Sequence, residues 1–346
     1  MEQSQQTLFG LDLGALTDLC AAEGWPRFTA GQLARWLYRR FVEEPARMTD
    51  LAAPRRERLA ACFAPALTPP IRESRSADGT KKYLFRTAAG HFVESAYIPD
   101  GDRATLCVSS QAGCRMGCRF CATGRQGLQQ SLSTAEILNQ IVSLPERDRL
   151  TNLVFMGMGE PLDNMDQLLP ALSILTSDWG FGWSPTRITV STAGVLPQLR
   201  RFLEATRVHL AVSLHNPFAD ERAAIMPVER AWPIAEVAAL LKEYDFSHQR
   251  RVSFEYIVLA GQNDSPRHVR ELCRLLNGIK CRINLIRFHK IPGSPYFSPD
   301  DAAMTAFRDA LTARGIQTTI RASRGEDIQA ACGLLSTAEQ EGQNNS

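Results

Sequence analysis

Four cysteines stand close together in the segment CVSSQAGCRMGCRFCATG, residues 107–124. Three of them, Cys114, Cys118 and Cys121, follow a C-x3-C-x2-C spacing, and Cys107 lies seven residues before the first. Closely spaced cysteine thiolates are the ligands of structural zinc and of iron–sulfur clusters. The segment therefore holds either four ligands of one structural metal or three ligands and a thiol with a different task.

The spacing favours an iron–sulfur cluster over zinc. Structural zinc modules usually combine two compact C-x2-C pairs, whereas Cys107 falls inside a predicted strand and the other three cysteines follow in the next loop. Three cysteines leave one iron of a four-iron cluster with an open coordination position. A substrate or cofactor binds metal directly at such a position, as it does in catalytic zinc sites.

Small polar residues also end several predicted strands. GMGEPLDN (157–164) places Glu160 in a glycine-rich turn, where the backbone can approach a ligand closely and the carboxylate can receive a ligand amine. The segments ITVSTAG (188–194) and VSLHNP (212–217) end in a similar way, and the second carries His215. Each feature alone also fits an ordinary structural turn or histidine, but three such strand ends in one array indicate a binding site.

These strand ends belong to a long α/β region. From about residue 103, strands alternate with amphipathic helices such as residues 133–144, where Ser133 and Glu136 form a capping-box pattern. Repeated strand–helix units with β-branched strands predict a parallel sheet, open or closed into a barrel, with its chemistry at the carboxyl ends of the strands. The predicted strands are 105–109, 152–158, 187–191, 208–214, 251–259, 282–288 and 317–322.

Two shorter regions precede this array. The segment from residue 8 to about residue 65 has helical periodicity, and between Trp25 and Ala60 it carries eight arginines against four acidic residues. This excess fits either a solvated helical face or a small basic module that contacts phosphates. After the proline-rich residues 64–70, two alternating segments predict a β-hairpin. The expected organisation is a helical accessory domain, a hairpin connector, an α/β core and a disordered tail, over residues 1–70, 71–100, 101–338 and 339–346.

The composition sets wider limits on the class of protein. Hydrophobic residues make up 44% of the 346 residues and charged residues 22%, which is ordinary for a globular protein with a full core. We find neither an apolar run of about eighteen residues nor a charged-then-apolar leader, so we expect no membrane association. Nine clustered cysteines in a long chain favour a reducing cytoplasm, with thiolates serving as ligands or reagents. A net charge of +2 neither indicates nor excludes a nucleic-acid partner.

Several motifs together resemble a known family. A C-x3-C-x2-C motif with an aromatic residue, Phe120, before its third cysteine resembles the radical S-adenosylmethionine enzymes. Over nearly the whole chain, the wider set resembles the RlmN family of dual-specificity rRNA/tRNA adenine-C2 methyltransferases. The motifs are CVSSQAGC…CRFCATG, VFMGMGEPLDN, STAG, SLHNP, NLIRFH, SRGEDIQAACG and the Q-x3-W-x-Y pattern at Gln32, Trp36 and Tyr38.

The resemblance implies a partial (β/α) barrel with a [4Fe-4S] cluster on Cys114, Cys118 and Cys121. It implies that one S-adenosylmethionine first methylates Cys332 by displacement. A second, bound at the open iron, yields the 5′-deoxyadenosyl radical that removes hydrogen from that methyl group. The carbon radical then adds to C2 of adenine, a position that is not nucleophilic, and tethers the RNA to the protein.

The same resemblance implies how the tether is released. Cys107, as a thiolate, attacks the Cys332 sulfur, forms a transient disulfide and frees the methylated base. Glu94 accepts the proton from C2. The positions that match S-adenosylmethionine contacts in the family are Gly159, Glu160, Ser191, Ser213, Leu214, His215 and His289, the last at a place where many relatives carry asparagine.

The implied partners are 23S rRNA and tRNA, with a flavodoxin-type reductase as electron donor, and we expect a monomer. The basic segments that would contact RNA phosphates are the arginines of residues 27–58, the run 247–251, Arg267, Arg270, Arg321 and Arg324. Two alternatives stay open. One is a C8-adenine methyltransferase of the related resistance type (Cfr), which Pro161 in GMGEPL disfavours, since that group tends to have alanine there. The other is a zinc-stapled RNA-binding protein without catalytic activity.

Overall fold

The computed structural model describes residues 6–249 and 251–337 of the 346-residue chain. The predicted tail over residues 339–346 lies outside these described residues. No helix within the described residues is long and apolar enough to cross a lipid bilayer.

Three helices form the N-terminal region: α1 (Leu13–Ala22), α2 (Phe28–Tyr38) and α3 (Ala53–Cys62). The first begins at Asp12, whose carboxylate accepts a hydrogen bond of 2.9 Å from the Ala15 N–H. A parallel bridge between Thr7 and Ala64 holds the beginning and the end of the region side by side. The chain therefore enters and leaves this helical region at one place.

The Q-x3-W-x-Y motif stabilises the inside of the helical region. Gln32 Nε2 donates to the Asp50 carbonyl at 2.9 Å, and the Trp36 indole N–H donates to the Asp50 carboxylate. The fully buried Tyr38 hydroxyl accepts a hydrogen bond of 3.0 Å from the Gly10 N–H. These bonds tie α2 to the segments before α1 and before α3.

A mixed polar and aromatic contact joins this region to the rest of the chain. The Arg39 guanidinium donates to the carbonyl oxygens of Asp178 and Phe181. The Phe41 ring meets the Phe181 ring edge-on at 5.2 Å between centroids, and the Arg147 guanidinium lies 4.5 Å from the Phe41 centroid. The helical region is thus fixed against the α/β region by both charge and ring contacts.

The remaining chain is organised around twelve strands. Their bounds are β1 (Arg72–Arg75), β2 (Lys81–Arg86), β3 (Phe92–Asp100), β4 (Arg103–Cys107), β5 (Gln111–Gly113), β6 (Leu128–Ser131), β7 (Asn152–Phe155), β8 (Ile188–Thr192), β9 (His209–Ser213), β10 (Val252–Val258), β11 (Cys281–Arg287) and β12 (Gln317–Ile320). Ten of them form one sheet in the order β1-β2-β3-β4-β7-β8-β9-β10-β11-β12, and β5 pairs with β6. Strands β1 to β4 are antiparallel, whereas β4 and β7 to β12 run parallel.

Helices connect the parallel strands, as the alternating pattern predicts. They are α4 (Ala122–Gln126), α5 (Thr134–Val142), α6 (Met165–Thr176), α7 (Leu196–Ala205), α8 (Ala219–Ile225), α9 (Ile234–Leu241), α10 (Pro266–Leu275) and α11 (Asp301–Thr312). The predicted capping box at Ser133 and Glu136 is present at the start of α5. This cap fixes the direction in which the chain leaves the cysteine loop.

The predicted α/β fold class is confirmed, and the seven predicted strands correspond to β4 and β7 to β12. The connector differs from the single hairpin that we expected. It has a third strand, β1, and its β3 pairs with β4 so that Ala96 lies opposite Cys107. Strand β1 is a charged and largely exposed edge strand, so it shows no hydrophobic alternation in the sequence. Division of the chain into domains at residues 70 and 100 stays a prediction.

Replacing Tyr38 by phenylalanine tests the importance of the α2 contacts. The substitution leaves the buried Gly10 N–H without its acceptor, so we expect the free energy of unfolding to fall by about 1–3 kcal/mol in urea titration. Tyr244→Phe is the matched control, since its hydroxyl makes only long contacts at an exposed site. Equal stability of the two variants would contradict this account of the helical region.

Candidate active site

Two adjacent cavities lie against the parallel strands. The first, of about 160 Å³, is lined by Cys114, Cys118 and Cys121 together with the carboxyl ends of strands from across the sheet. The second, of about 460 Å³, is lined by Cys107 and reaches Arg103, Thr189 and Arg282 near the amino ends of their strands. Cys332 lies on the wall of both cavities. The two predicted groups of reactive cysteines are thus brought together.

Glycines allow the cysteine loop to fold tightly over the sheet. Gly113 has φ +73°, and a Cβ there would lie 1.7 Å from the Gly127 carbonyl oxygen. The Cys114 N–H donates to that same oxygen at 2.9 Å. At Gly124, in α4, a Cβ would lie 2.9 Å from the Cys118 backbone nitrogen. Larger residues at these two positions would displace the loop that carries the cysteines.

Burial raises the pKa of all three loop thiols. The pKa of Cys114 rises to about 12, first by burial and then through the charges of Glu160 and Cys121. Burial raises the pKa of Cys118 and Cys121 as well, although the Arg222 charge acts in the opposite direction on Cys118. Three neighbouring buried thiols are therefore hard to ionise unless positive charge is supplied between them, as bound iron supplies it.

The donor set fits a cluster with an open iron. The three thiols of the loop line the first cavity beside free space, and the fourth thiol on its wall, Cys332, comes from a distant segment of the chain. A four-iron cluster binds its cysteines at different irons, so the ligands need not meet at one point. In the described part of the chain, no three His, Cys, Asp or Glu side chains do meet at one ion position.

The wall opposite the cysteines contains Gly159, Glu160, Ser191 and Ser213. Gly159 has φ +100°, and a Cβ there would lie 2.6 Å from the Gln111 Cβ, so only glycine fits. The buried Glu160 carboxylate accepts hydrogen bonds from the N–H groups of Leu162 and Ala193, at 3.1 and 2.8 Å. Burial, the largest effect, raises its pKa to about 7. Glu160 is therefore held at the cavity wall, ready to pair with a cationic ligand group.

His215 is a neutral donor at the same cavity. Its Nδ1 accepts a hydrogen bond of 2.9 Å from the Ile257 N–H, which leaves the ring proton on Nε2. Burial and then the Arg222 charge lower its pKa to about 3. The Phe120 ring packs against the imidazole with centroids 4.8 Å apart. The aromatic residue of the cysteine motif thus orients the histidine of the SLHNP motif.

Cys107 and Cys332 approach each other although 225 residues separate them in the sequence. Cys107 ends β4, and Cys332 lies in the irregular segment that follows β12. Burial raises the pKa of Cys107 to about 12, and the nearby Cys332 adds to this while Arg321 opposes it. The Ala122 N–H donates to the Gly333 carbonyl at 2.8 Å, which holds Cys332 beside the cysteine loop.

Comparison with known proteins identifies the family. The family model for the radical SAM superfamily matches residues 108–275, and that for the ribosomal RNA large subunit methyltransferase N-terminal domain matches residues 6–64. A protein of Bacteroides fragilis (strain ATCC 25285) named probable dual-specificity RNA methyltransferase RlmN is 55% identical over 97% of this chain and 98% of its own. The chain belongs to the RlmN family. It is a radical S-adenosylmethionine enzyme whose cofactors are a [4Fe-4S] cluster and S-adenosylmethionine.

A second relative and one solved structure agree with this assignment. The dual-specificity RNA methyltransferase RlmN of Anaeromyxobacter dehalogenans is 44% identical over 92% of this chain and 89% of its own. The crystal structure of a radical SAM methyltransferase from Sphaerobacter thermophilus is 42% identical, with a TM-score of 0.87, over 95% of this chain and 99% of that one. The RlmN fold therefore extends over both the helical region and the barrel.

Three residues expected at the RlmN site lie away from the first cavity. Leu214 is fully buried; its carbonyl accepts a hydrogen bond from Arg222, and its N–H donates to the Glu255 carbonyl. His289 lines the second cavity, and its ring nitrogens contact Ser323 at 3.2 Å and Glu326 at 3.3 Å. Glu94 lines neither cavity. S-adenosylmethionine contacts from Leu214 and His289 stay predictions, as does the role of Glu94.

The surroundings of Glu94 tie it to the Cys332 segment. Its carboxylate is only 1% exposed, pairs with Lys82 Nζ at 2.9 Å and accepts a hydrogen bond of 3.1 Å from the Ser336 N–H. Burial, the largest effect, raises its pKa, whereas Lys82 opposes the rise. A raised pKa suits a proton acceptor that works near neutral pH.

Arg222 is a central residue that sequence reasoning missed. It is 0% exposed, and its guanidinium donates to the carbonyls of Leu214, Ala193 and Ser213, each at 2.9 Å. It also forms a buried ion pair with Glu229. Arg222 therefore ties together the ends of β8 and β9 that line the first cavity. Its only signal in the sequence is its position seven residues after His215, which a solvated helix would equally explain.

Removal of single cysteines tests the cluster ligands. Alanine at Cys114, Cys118 or Cys121 removes a thiolate that the cluster needs, so we expect each variant to lose the visible charge-transfer absorption after anaerobic reconstitution. Cys281→Ala is the matched control, because Cys281 lies on neither cavity wall. Full absorption and iron content in a loop-cysteine variant would contradict the assignment of that ligand.

The buried Glu160 predicts a pH effect on the stability of the iron-free protein. Its pKa is about 7 in the folded chain against 4.5 for an ordinary glutamate, so in this window the folded state binds more protons than the unfolded state. The stabilising contribution is complete below the lower pKa and is lost as pH rises through about 7. We expect Glu160→Gln to remove part of the fall in unfolding free energy between pH 4.5 and 7.

Urea titration at several pH values measures this effect. Glu243→Gln is the matched control, since the Glu243 side chain is 57% exposed and pairs only with Arg200 at the surface. The control keeps the wild-type pH profile. An unchanged profile in Glu160→Gln would mean that Glu160 does not carry a raised pKa.

Proposed function

We propose that this chain methylates C2 of adenine in RNA. Its substrates are an adenine in the peptidyl-transferase loop of 23S rRNA and the adenine 3′ of the anticodon in tRNA. The proposal is supported by relatives that carry the name dual-specificity RNA methyltransferase RlmN over nearly the full chain. It is also supported by the match of residues 6–64 to the N-terminal domain of large-subunit rRNA methyltransferases.

One observation carries the proposal: two thiols distant in sequence line one cavity beside the three loop cysteines. Cys107 and Cys332 are both free thiols, and both line the second cavity. A zinc-stapled binding protein needs ligands but has no use for a second thiol pair at the same place. A methyl carrier and a resolving thiol are what adenine-C2 methylation requires.

In this proposal the first cavity holds the cofactors. Cys114, Cys118 and Cys121 bind the [4Fe-4S] cluster, which when present supplies the electron that cleaves S-adenosylmethionine. Glu160 pairs with the amino group of S-adenosylmethionine, and Gly159 permits close backbone approach to it. Ser191, Ser213, Leu214, His215 and His289 complete the proposed contacts.

Cys332 and Cys107 divide the remaining chemistry between them. Cys332 would carry the methyl-derived carbon as a thioether. After this carbon has added to C2 as a radical, the adduct would lose the C2 proton and one electron, which the cluster when bound would take back, and the carbon would stay joined to the base. Cys107 is a thiol at neutral pH because burial raises its pKa, so it would lose its proton as it attacks the Cys332 sulfur; an S–S bond forms while the S–C bond breaks. The electron pair of the broken bond goes to the carbon on the base, which takes up a proton to become the methyl group. An external thiol or dithiol restores the two free cysteines.

Glu94 is the proposed acceptor of the C2 proton. The Ser336 N–H that binds its carboxylate lies four residues after Cys332, so the acceptor and the methyl carrier belong to one hydrogen-bonded unit. Lys82 supplies a positive charge that allows the buried carboxylate to ionise. Movement of the Ser336 segment would open Glu94 to the second cavity.

We further propose that the enzyme works as a monomer in the cytoplasm with a flavodoxin-type reductase as electron donor. The arginines of the helical region supply phosphate contacts, which makes RNA affinity depend on salt. Residues 1–70, 71–100 and 101–338 are the proposed accessory, connector and catalytic regions. Two other expected phosphate contacts, Arg321 and Arg324, have protein partners, since they pair with Glu255 and Asp100.

Nucleoside mass spectrometry tests the proposed activity. Unmodified rRNA and tRNA transcripts are incubated anaerobically with reconstituted protein, S-adenosylmethionine and a reductant, and then digested. We expect 2-methyladenosine from wild type and none from Cys332→Ala, because this variant keeps the cluster but has no methyl carrier. The transcript that becomes methylated shows which RNA is used.

Other products would change the assignment. 8-Methyladenosine would move the chain to the C8-methylating relatives. Turnover by Cys332→Ala at the wild-type rate would contradict the carrier mechanism. A colourless protein with stoichiometric zinc and no methylated base would instead favour the RNA-binding alternative.

A further inference from the structure

Two side chains lie beside Cys332 on the walls of both cavities and have no part in the chemistry described above. They are Glu255, on β10, and Arg321, directly after β12. Cys332 lines the same two cavities. A base that is joined to the Cys332 sulfur therefore lies within the space that these two side chains border.

The Glu255 carboxylate is buried and has one oxygen without a hydrogen bond. The residue is 3% exposed, and its Oε1 accepts a hydrogen bond of 2.7 Å from Asn284 Nδ2. Its Oε2 has no hydrogen-bond partner among the described residues and faces Arg321 Nη1 only as an ion pair, at 3.5 Å. Buried carboxylate oxygens in proteins normally accept hydrogen bonds, so this oxygen is available to a donor on a ligand.

Three neighbouring strands fix the orientation of this carboxylate. Glu255 on β10 lies directly opposite Asn284 on β11, and Asn284 lies directly opposite Thr319 on β12. The Thr319 hydroxyl donates to Asn284 Oδ1 at 2.9 Å, so the amide nitrogen of Asn284 must point toward Glu255. This chain of bonds occupies Oε1 and leaves Oε2, a buried atom of a residue on the wall of both cavities, without a hydrogen bond among the described residues.

Arg321 places hydrogen-bond donors beside the free oxygen. Its backbone N–H donates to the Leu285 carbonyl at 2.9 Å, which fixes the start of the segment that carries Cys332. Its guanidinium contacts Met156 Sδ at 3.4 Å and has further N–H donors that face the cavities. An acceptor and a donor therefore stand side by side next to the reactive sulfur.

We propose that the Glu255–Arg321 pair recognises the Watson–Crick edge of the target adenine. Glu255 Oε2 accepts a hydrogen bond from the 6-amino group, and Arg321 donates one to N1. Enzymes that act on an extruded base commonly read this edge. The proposal rests on the adenine-C2 activity proposed above and names how that same site selects its base.

The position of C2 in the purine ring agrees with this recognition. C2 is bonded to N1, and N1 is the neighbour of the carbon that bears the 6-amino group. A base with C2 at Cys332 therefore presents N1 and the amino group together on the same side. Hypoxanthine has a hydrogen at C2 but reverses this edge, with an N1–H donor and an O6 acceptor, so the pair rejects it.

Substrate analogues combined with one substitution test the proposal. An RNA that wild type methylates at a single adenine is prepared with adenine, purine or hypoxanthine at that position, and kcat/KM is measured for each. We expect wild type to lose roughly tenfold or more on purine, which lacks the 6-amino group. Glu255→Gln lacks the carboxylate acceptor for the 6-amino group. We therefore expect the ratio of kcat/KM on adenine to kcat/KM on purine to fall toward one in this variant. Comparing ratios removes the different intrinsic reactivity of the two rings.

Controls separate this proposal from the activity on which it rests. Glu243→Gln, at an exposed site, keeps the wild-type ratio. If Glu255→Gln does not bind the cluster, Glu255→Asp replaces it in the test, because the shorter side chain moves the carboxylate oxygen away from the base. An adenine-to-purine ratio that is equal in wild type and in the Glu255 variants would overturn the recognition proposal while leaving adenine methylation intact. Absence of methylation on adenine by wild type would instead defeat the proposed function.

Discussion

Several hydrogen bonds join the C-terminal segment to α4, the helix that follows the cysteine loop. The Ala122 N–H donates to the Gly333 carbonyl, and the Thr123 hydroxyl donates to the Leu335 carbonyl, both across more than two hundred residues of sequence. They hold Cys332 on the wall of the two cavities that the loop cysteines and Cys107 line. Every proposed step through Cys332 depends on this contact, because a displacement of the segment would separate the proposed methyl carrier from the first cavity and from the proposed resolving thiol.

A buried cation performs a similar task beneath the cofactor cavity. Arg222 bridges the ends of two strands through three carbonyl oxygens, with Glu229 as its counter-ion. Loss of one partner from a buried ion pair typically destabilises a protein by about 3–5 kcal/mol. The Arg222–Glu229 pair and its three carbonyl contacts are therefore costly to break, and they hold the two strand ends in place. The cofactor wall is thus fixed by backbone contacts, and its side chains, such as His215, remain available for a ligand.

Three charged side chains, those of Glu94, Arg321 and Glu255, surround the Cys332 segment in different ways. Glu94 accepts a hydrogen bond from the backbone after the cysteine, Arg321 lines the same two cavities as Cys332, and Glu255 has one oxygen without a hydrogen bond among the described residues. His289, expected at the cofactor, instead contacts the same segment through Ser323 and Glu326. The segment around Cys332 therefore contains the proposed reactive thiol and also forms part of the wall of both cavities.

The sequence by itself determined the fold class and the cluster motif, because both depend on local patterns. Strand–helix alternation predicts a parallel sheet, and C-x3-C-x2-C spacing predicts cluster ligands within one loop. Only the tertiary structure decided which distant residues meet. Cys107 and Cys332 come together because β4 and the segment after β12 border the same opening, whereas Glu255 orients its carboxylate through Asn284 and Thr319 on adjacent strands. Arg222 and Glu255 have no local signal, since burial and partners arise from packing between strands that are far apart in the chain.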